Sequence, residues 1–352
     1  MKDSSTMPEA VPRMRIEISI AGRALAWVAL LACACSNDQS LFLDSGPTDS
    51  GTDPTDTGSS DTGSDSGEPI IEEDLDIPYD PPPGGDPDKS LLDLHYVPDG
   101  DPLRLMVFVH GGSWIGGDKS KLELAEELVP WFVDRGFAVA APNFRLASEP
   151  PGPQEVTWAD QATDLAFALA WLIEHGADYN IEAEPALLMG YSSGAHLVAL
   201  LAADEHYLEL AGLAHESLLG SISFDVHAYD VPYALELMQD SELEQNIELI
   251  EFLFGETVEA QLAASPSSYA PGAPDVPPAL LISADPFSLE GSKGYIVFHA
   301  TQSYWQLLQS AGHSADWQHY ENETHASLVI DFGSEGDAPT EKVAGFLEDL
   351  PL

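Results

Sequence analysis

Cysteine is almost missing from this chain, and basic residues are scarce. The only two cysteines, Cys33 and Cys35, lie near the N-terminus, which excludes a disulfide framework and a thiolate metal site from the rest of the chain. Twelve Lys and Arg stand against 60 Asp and Glu, for a formal net charge of −48. A chain this acidic would meet nucleic acid with repulsion instead of counterion release, which excludes nucleic acid as a partner. The spaced aspartates of residues 36–69 lack the closing bidentate Glu of a calcium loop, so they give no metal site either.

The residues that are present divide the chain into three parts. Arg13, Arg15 and Arg23 precede an apolar stretch at 24–32, which is too short to span a bilayer and is the size of a signal-peptide core. It ends in Leu30-Leu31-Ala32-Cys33, which resembles a bacterial lipobox with Cys33 as the lipidated residue. Cys35 is the alternative anchor, and an ordinary cleaved signal peptide is the alternative reading. A lipid anchor would hold the protein at a membrane of the bacterial cell envelope. Residues 36–90 are mostly Asp, Ser, Thr, Gly and Pro, too poor in apolar side chains to offset the entropy of ordering them, and read as an acidic tether. Only residues 91–352 carry the apolar runs that a core needs, so the leader is expected at 1–35, the linker at 36–90 and the folded domain at 91–352.

Inside that domain, strand patterns at 91–97, 103–109, 137–141, 185–189, 217–224, 278–284 and 316–320 are separated by helical patterns at 121–133, 157–173, 195–203 and 340–347. The alternation predicts an α/β domain with a mainly parallel sheet covered by helices on both faces. An acidic insert at 227–264, with Leu243, Ile247, Ile250 and Phe254 along one helical face, reads either as a small cap over the pocket or as a helix lying on the core.

Two motifs carry chemistry. Gly190-Tyr191-Ser192-Ser193-Gly194 has the G-x-S-x-G pattern and stands between a strand and a helix, where a sharp turn lifts the serine hydroxyl above the sheet. Ser192 is the candidate nucleophile, and the N–H of Ser193 at the helix start is a candidate oxyanion donor. The segment His110-Gly111-Gly112-Ser113-Trp114 follows another strand, and Gly111 and Gly112 can turn their N–H groups inward to complete an oxyanion hole.

Taken together, HGGSWIGGDKS, NFRLA, GYSSGAHLVALLA and SPSSYAPGAPDVPPALLISAD resemble the α/β-hydrolase superfamily, specifically the carboxylesterases of the hormone-sensitive-lipase and feruloyl-esterase-like branches. The resemblance implies an α/β-hydrolase fold and a serine carboxylesterase, needing no metal or cofactor, that acts on small-molecule or carbohydrate esters. A peptidase or amidase on the same fold, or an inactive cell-surface binding module, are the rival readings. The family's chain order of serine, acid and histidine implies Asp285 as the acid, with Glu290 as the fallback, and His325 as the base. His196, one helical turn after Ser192, is expected to be a packing residue, and His319 a residue of the strand surface.

Overall fold

The computed structural model describes residues 70–351, which form an eight-stranded sheet with helices around it. Cys33, Cys35 and the tether up to residue 69 lie outside the described residues. The strands are β1 (Glu72–Pro78), β2 (Leu91–Tyr96), β3 (Leu103–Val109), β4 (Phe137–Pro142), β5 (Ile181–Tyr191), β6 (Leu218–Phe224), β7 (Ala279–Ala284) and β8 (Ala315–Tyr320). Their spatial order is β1-β2-β4-β3-β5-β6-β7-β8. β1 and β2 join antiparallel, and from β4 to β8 every pairing is parallel. This is the mainly parallel α/β sheet that the alternating pattern predicts.

The helices are α1 (Leu128–Val133), α2 (Trp158–His175), α3 (Ser193–Ala203), α4 (His206–Leu210), α5 (Val231–Met238), α6 (Ile247–Phe254), α7 (Val258–Ala263), α8 (Lys293–Ala311), α9 (Ser327–Ile330) and α10 (Ala338–Asp349). α2 starts in a capping box, in which Thr157 Oγ1 accepts from the Asp160 N–H and Asp160 Oδ2 accepts from the Thr157 N–H. All eleven residues of α3 are buried. A helix apolar on every side belongs to the interior, and α3 leaves the elbow in the middle of the sheet.

Alternate strand residues Met106, Phe108, Met189, Ile222, Phe224 and Ile282 pack with Phe132, Phe332 and Leu347 in the main apolar cluster. Within it Phe132 stacks on Phe332 with ring centroids 5.8 Å apart, and Trp131 meets Phe332 edge-on at 5.2 Å. Side chains of this size contribute roughly 1.5–3 kcal/mol each when fully buried, which fixes the sheet that carries the site.

Three expectations change. The linker was expected to reach residue 90, but β1 lies within it and pairs with β2 from Glu72 opposite Tyr96 to Pro78 opposite Leu91. This edge strand is held by its backbone ladder and by the ammonium of buried Lys119, which lies 2.7 Å from both Asp76 Oδ1 and Asp93 Oδ1. The helix expected at 121–133 is broken into a 3-10 turn at Lys119–Leu124 and the short α1. Residues 293–311, given no element from the sequence, form the long helix α8.

Candidate active site

β5 ends at Tyr191, and Ser192 stands between strand and helix with φ 55° and ψ −123°. That region is sparsely populated for a non-glycine residue and costs on the order of 1–3 kcal/mol, tolerated only where the surroundings fix it. Two close approaches do so here. A Cβ on Gly190 would meet the Gly194 carbonyl oxygen at 2.4 Å, and one on Gly111 would meet Ser192 Cβ at 2.8 Å. The Ser192 N–H donates to the Phe224 carbonyl at 2.8 Å, stitching the elbow to the end of β6.

The segment expected to supply oxyanion donors lies directly against this elbow. Among the described residues, the N–H groups of Gly111, Gly112 and Ser193 have no hydrogen-bond acceptor. Ser193 begins α3, so its N–H also stands at the positive end of the helix dipole. Ser113 and Trp114 take positive φ values of 55° and 62°, and the turn is held from outside. The Trp114 indole N–H donates to His196 Nδ1 at 3.2 Å, and the Trp114 carbonyl accepts from Gln161 Nε2 at 2.7 Å. Asn143 ties the two neighbouring motifs together by accepting from the Lys119 N–H at 2.7 Å and donating to Asp118 at 2.8 Å. Arg145 grips buried Asp164 with two nitrogens, at 2.9 and 2.8 Å.

His196 is fully buried, donates from Nε2 to the Ala264 carbonyl at 2.8 Å, and is pushed down by burial to about 4. It is a neutral packing residue. The insert leans on the same group: Phe254 of α6 meets Trp114 at 4.9 Å and His196 at 5.3 Å. Leu249, Ile250, Leu253 and Phe254 form its buried face, whereas Leu243 and Ile247 are only half-buried. The insert therefore buttresses the turn that carries Trp114. His319 departs from the expected surface position: its Nδ1 lies 2.9 Å from Ser283 Oγ and its ring meets the stacked pair Phe287 and Phe298 edge-on.

His325 follows β8, and its ring lies 4.7 Å from that of Tyr191, the residue before the elbow serine. The carboxylate facing it is Asp225. His325 Nδ1 donates to Asp225 Oδ2 at 2.5 Å, while the other carboxylate oxygen accepts from the Ala284 N–H at 2.8 Å. Burial by itself would raise the Asp225 carboxyl. The hydrogen bond and charge of His325, the Lys293 ammonium and the Ala284 N–H outweigh it and hold Asp225 well below the usual carboxylate range.

Asp285, expected from the sequence to face the histidine, instead accepts from Lys293 Nζ at 3.0 Å. The fallback, Glu290, is an exposed residue of the loop between β7 and α8. The physical reason is the start of α8: the Lys293 ammonium takes the Asp285 carboxylate and the Glu323 carbonyl accepts from the Asp285 N–H at 3.0 Å, while Asp225, one residue past β6, sends its carboxylate to His325. Both aspartates stand one residue past a buried strand, so the sequence carries the same signal for each.

Among the described residues, no group of three or more His, Cys, Asp or Glu is placed to hold a metal ion, and no helix is long and apolar enough to cross a membrane.

The parallel sheet, the strand-to-helix elbow at Ser192 and the histidine after the last strand define an α/β-hydrolase fold. Solved esterases share it. Esterase B from Lactobacillus rhamnosis has a TM-score of 0.60 at 19% identity, over 79% of this chain and 84% of that one. A thermophilic esterase from Thermogutta terrifontis has a TM-score of 0.53 at 18% identity, over 79% of this chain and 92% of that one. The BD-FAE family model matches residues 92–286, and the chain belongs to this family.

Among curated relatives, the esterase LipQ of Mycobacterium tuberculosis is 35% identical over 131 residues, which cover 36% of this chain and 28% of that protein. A probable isoprenylcysteine alpha-carbonyl methylesterase of Oryza sativa is 27% identical over 256 residues, covering 70% of this chain and 57% of its own length. The chain thus spans about half or less of these two relatives.

Proposed function

We propose that the chain is a serine hydrolase of small carboxylic esters, with Ser192 as nucleophile, His325 as general base and Asp225 as the acid. One observation carries this reading: the His325–Asp225 pair at 2.5 Å stands by an elbow serine held at positive φ and backed by three unpartnered N–H groups. With its Nδ1 proton given to Asp225, His325 has Nε2 free as the base. It takes the Ser192 Oγ proton as Oγ bonds to the ester carbonyl carbon, and the carbonyl electron pair moves onto oxygen. The N–H groups of Gly111, Gly112 and Ser193 stabilise that oxyanion. Collapse expels the alcohol with the proton from His325 and leaves an acyl-serine. Water, deprotonated by His325, then releases the acid and restores Ser192. The scheme needs no cofactor or metal.

The esterases among the relatives and structural neighbours support an ester substrate, and a carbohydrate ester is one class within the proposal. The envelope location, with lipidation at Cys33, belongs to the same proposal and rests on the leader sequence. The test is hydrolysis of p-nitrophenyl acetate, butyrate and octanoate by the wild type and by Ser192→Ala. Loss of at least about 10³-fold in the variant is expected, and equal rates would reject the nucleophile.

A further inference from the structure

Lys293 is a rare cation in a strongly acidic domain, and it sits between two carboxylates at the candidate site. At the first residue of α8, its Nζ lies 3.0 Å from Asp285 Oδ2 and 3.5 Å from Asp225 Oδ2. Other ion-paired cations among the described residues serve the scaffold: Lys119 on Asp76 and Asp93, Arg145 on Asp160 and Asp164, Lys342 on Asp316. Lys293 is also fixed from behind. Its backbone N–H donates to the Glu242 carboxylate, and the Glu242 N–H donates to the Gly291 carbonyl at 3.0 Å, so the insert holds the start of α8 in place.

Each element around the pair contributes a titratable group. Lys293 faces it from α8, Asp285 from the end of β7, and His227 from two residues past Asp225. His319 on β8 senses both Asp225 and Asp285. Glu323, in the loop before His325, turns its carboxylate to the Ser327 hydroxyl at 2.7 Å and its carbonyl to the Asp285 N–H at 3.0 Å. Burial and the Lys293 charge push His227 down to about 4, so it brings no charge at neutral pH. Without the ammonium, the near field at His325 would consist of two carboxylates where the proton relay uses one. A second negative charge favours the imidazolium, the form of His325 that cannot take the serine proton.

We propose that Lys293 is a positioning residue that neutralises the second carboxylate, Asp285, beside the His325–Asp225 pair, so that the His325 imidazole faces one net negative charge instead of two. It acts on substrate only through Asp225 and His325. The proposal rests on the reading of His325 as general base.

The test is the kcat/KM profile between pH 4.5 and 9 on p-nitrophenyl butyrate, a neutral ester, in four variants. Lys293→Gln should move the acid limb to higher pH by roughly one unit, and Lys293→Arg, which restores the charge, should return it. Asp285→Asn, which leaves the ammonium to Asp225 alone, should move the limb to lower pH. In Lys293→Gln/Asp285→Asn one charge of each sign is gone, and the limb should lie close to that of the wild type. A limb that stays put in both Lys293→Gln and Asp285→Asn would overturn the proposal and reduce Lys293 to a structural tie. Loss of all activity in Asp285→Asn would instead reject Asp225 as the acid, and so separate failure of the triad reading from failure of this one.

Discussion

Asp225→Asn is the substitution in which the two candidate acids part most clearly. The Asp225 side chain is 0% exposed and accepts from both His325 Nδ1 and the Ala284 N–H. An asparagine of the same shape has one acceptor oxygen for these two donors. If that oxygen stays on the Ala284 N–H, the amide NH₂ faces Nδ1, and the imidazole must put its proton on Nε2, where the base is needed. If the oxygen turns to Nδ1, two N–H donors confront each other in a buried place, at about 1–3 kcal/mol. The loss of the charge that stabilises the imidazolium adds to either outcome. A fall in kcat/KM of about 10³–10⁴, roughly 4–5.5 kcal/mol in transition-state free energy, is expected at pH 8. Asp285 has a side chain 23% exposed that accepts from Lys293, so Asp285→Asn should stay within about threefold at that pH. Initial rates on p-nitrophenyl butyrate, with near-UV circular dichroism to confirm folding, measure both. A mild Asp225→Asn with a crippled Asp285→Asn would refute the assignment.

Further outcomes follow from the same geometry. Gly111→Ala would drive a methyl group to 2.8 Å from Ser192 Cβ and 2.9 Å from the Tyr191 carbonyl, and kcat should fall by about 10²-fold or more with a small change in KM. Burial pushes both His110 and His196 down to about 4 from the ordinary 6.5. Between those values the unfolded chain binds the extra protons, so stability is full above about pH 6.5 and falls by a few kcal/mol as pH drops to about 4, which urea melts at pH 7.5 and 4.5 would read. From residue 91 onward about 42 acidic residues accompany about 7 basic ones. Raising salt from 0.01 M to 1 M shortens the Debye length from about 30 to about 3 Å and should raise Tm and shift the acid limb of kcat/KM to lower pH. Cys33→Ser should release the full-length protein from the membrane fraction, and unchanged fractionation of the Cys33→Ser/Cys35→Ser double variant would reject the lipid anchor.

The strands of the sheet's centre were legible because each is a short apolar run bounded by turns, and the G-x-S-x-G and HGG motifs had to follow strands to act together. β1 was not legible. Its sequence EEDLDIP is nearly all exposed, and the ladder with β2 and the distant Lys119 hold it instead of an apolar face. α8 was readable in part, since Ile296, Val297, Ala300, Thr301, Tyr304 and Leu308 are buried at helical spacing, but interleaved Gln, Ser and His obscure the pattern. Asp225 was missed for a different reason. Asp285 and Asp225 both follow a buried strand by one residue and both take positive φ. Which one meets His325 depends on how the assembled sheet and the start of α8 place the two side chains, with Lys293 on Asp285 and His325 on Asp225.

The claim that Ser192 is activated by its surroundings is tested most directly by a fluorophosphonate probe, with the adduct located by peptide mass spectrometry. A single adduct on the peptide carrying Ser192 is predicted in the wild type, with none in Ser192→Ala and labelling slowed at least about 10²-fold in Asp225→Asn. No adduct on the folded wild type, or an adduct on any other residue, would contradict it.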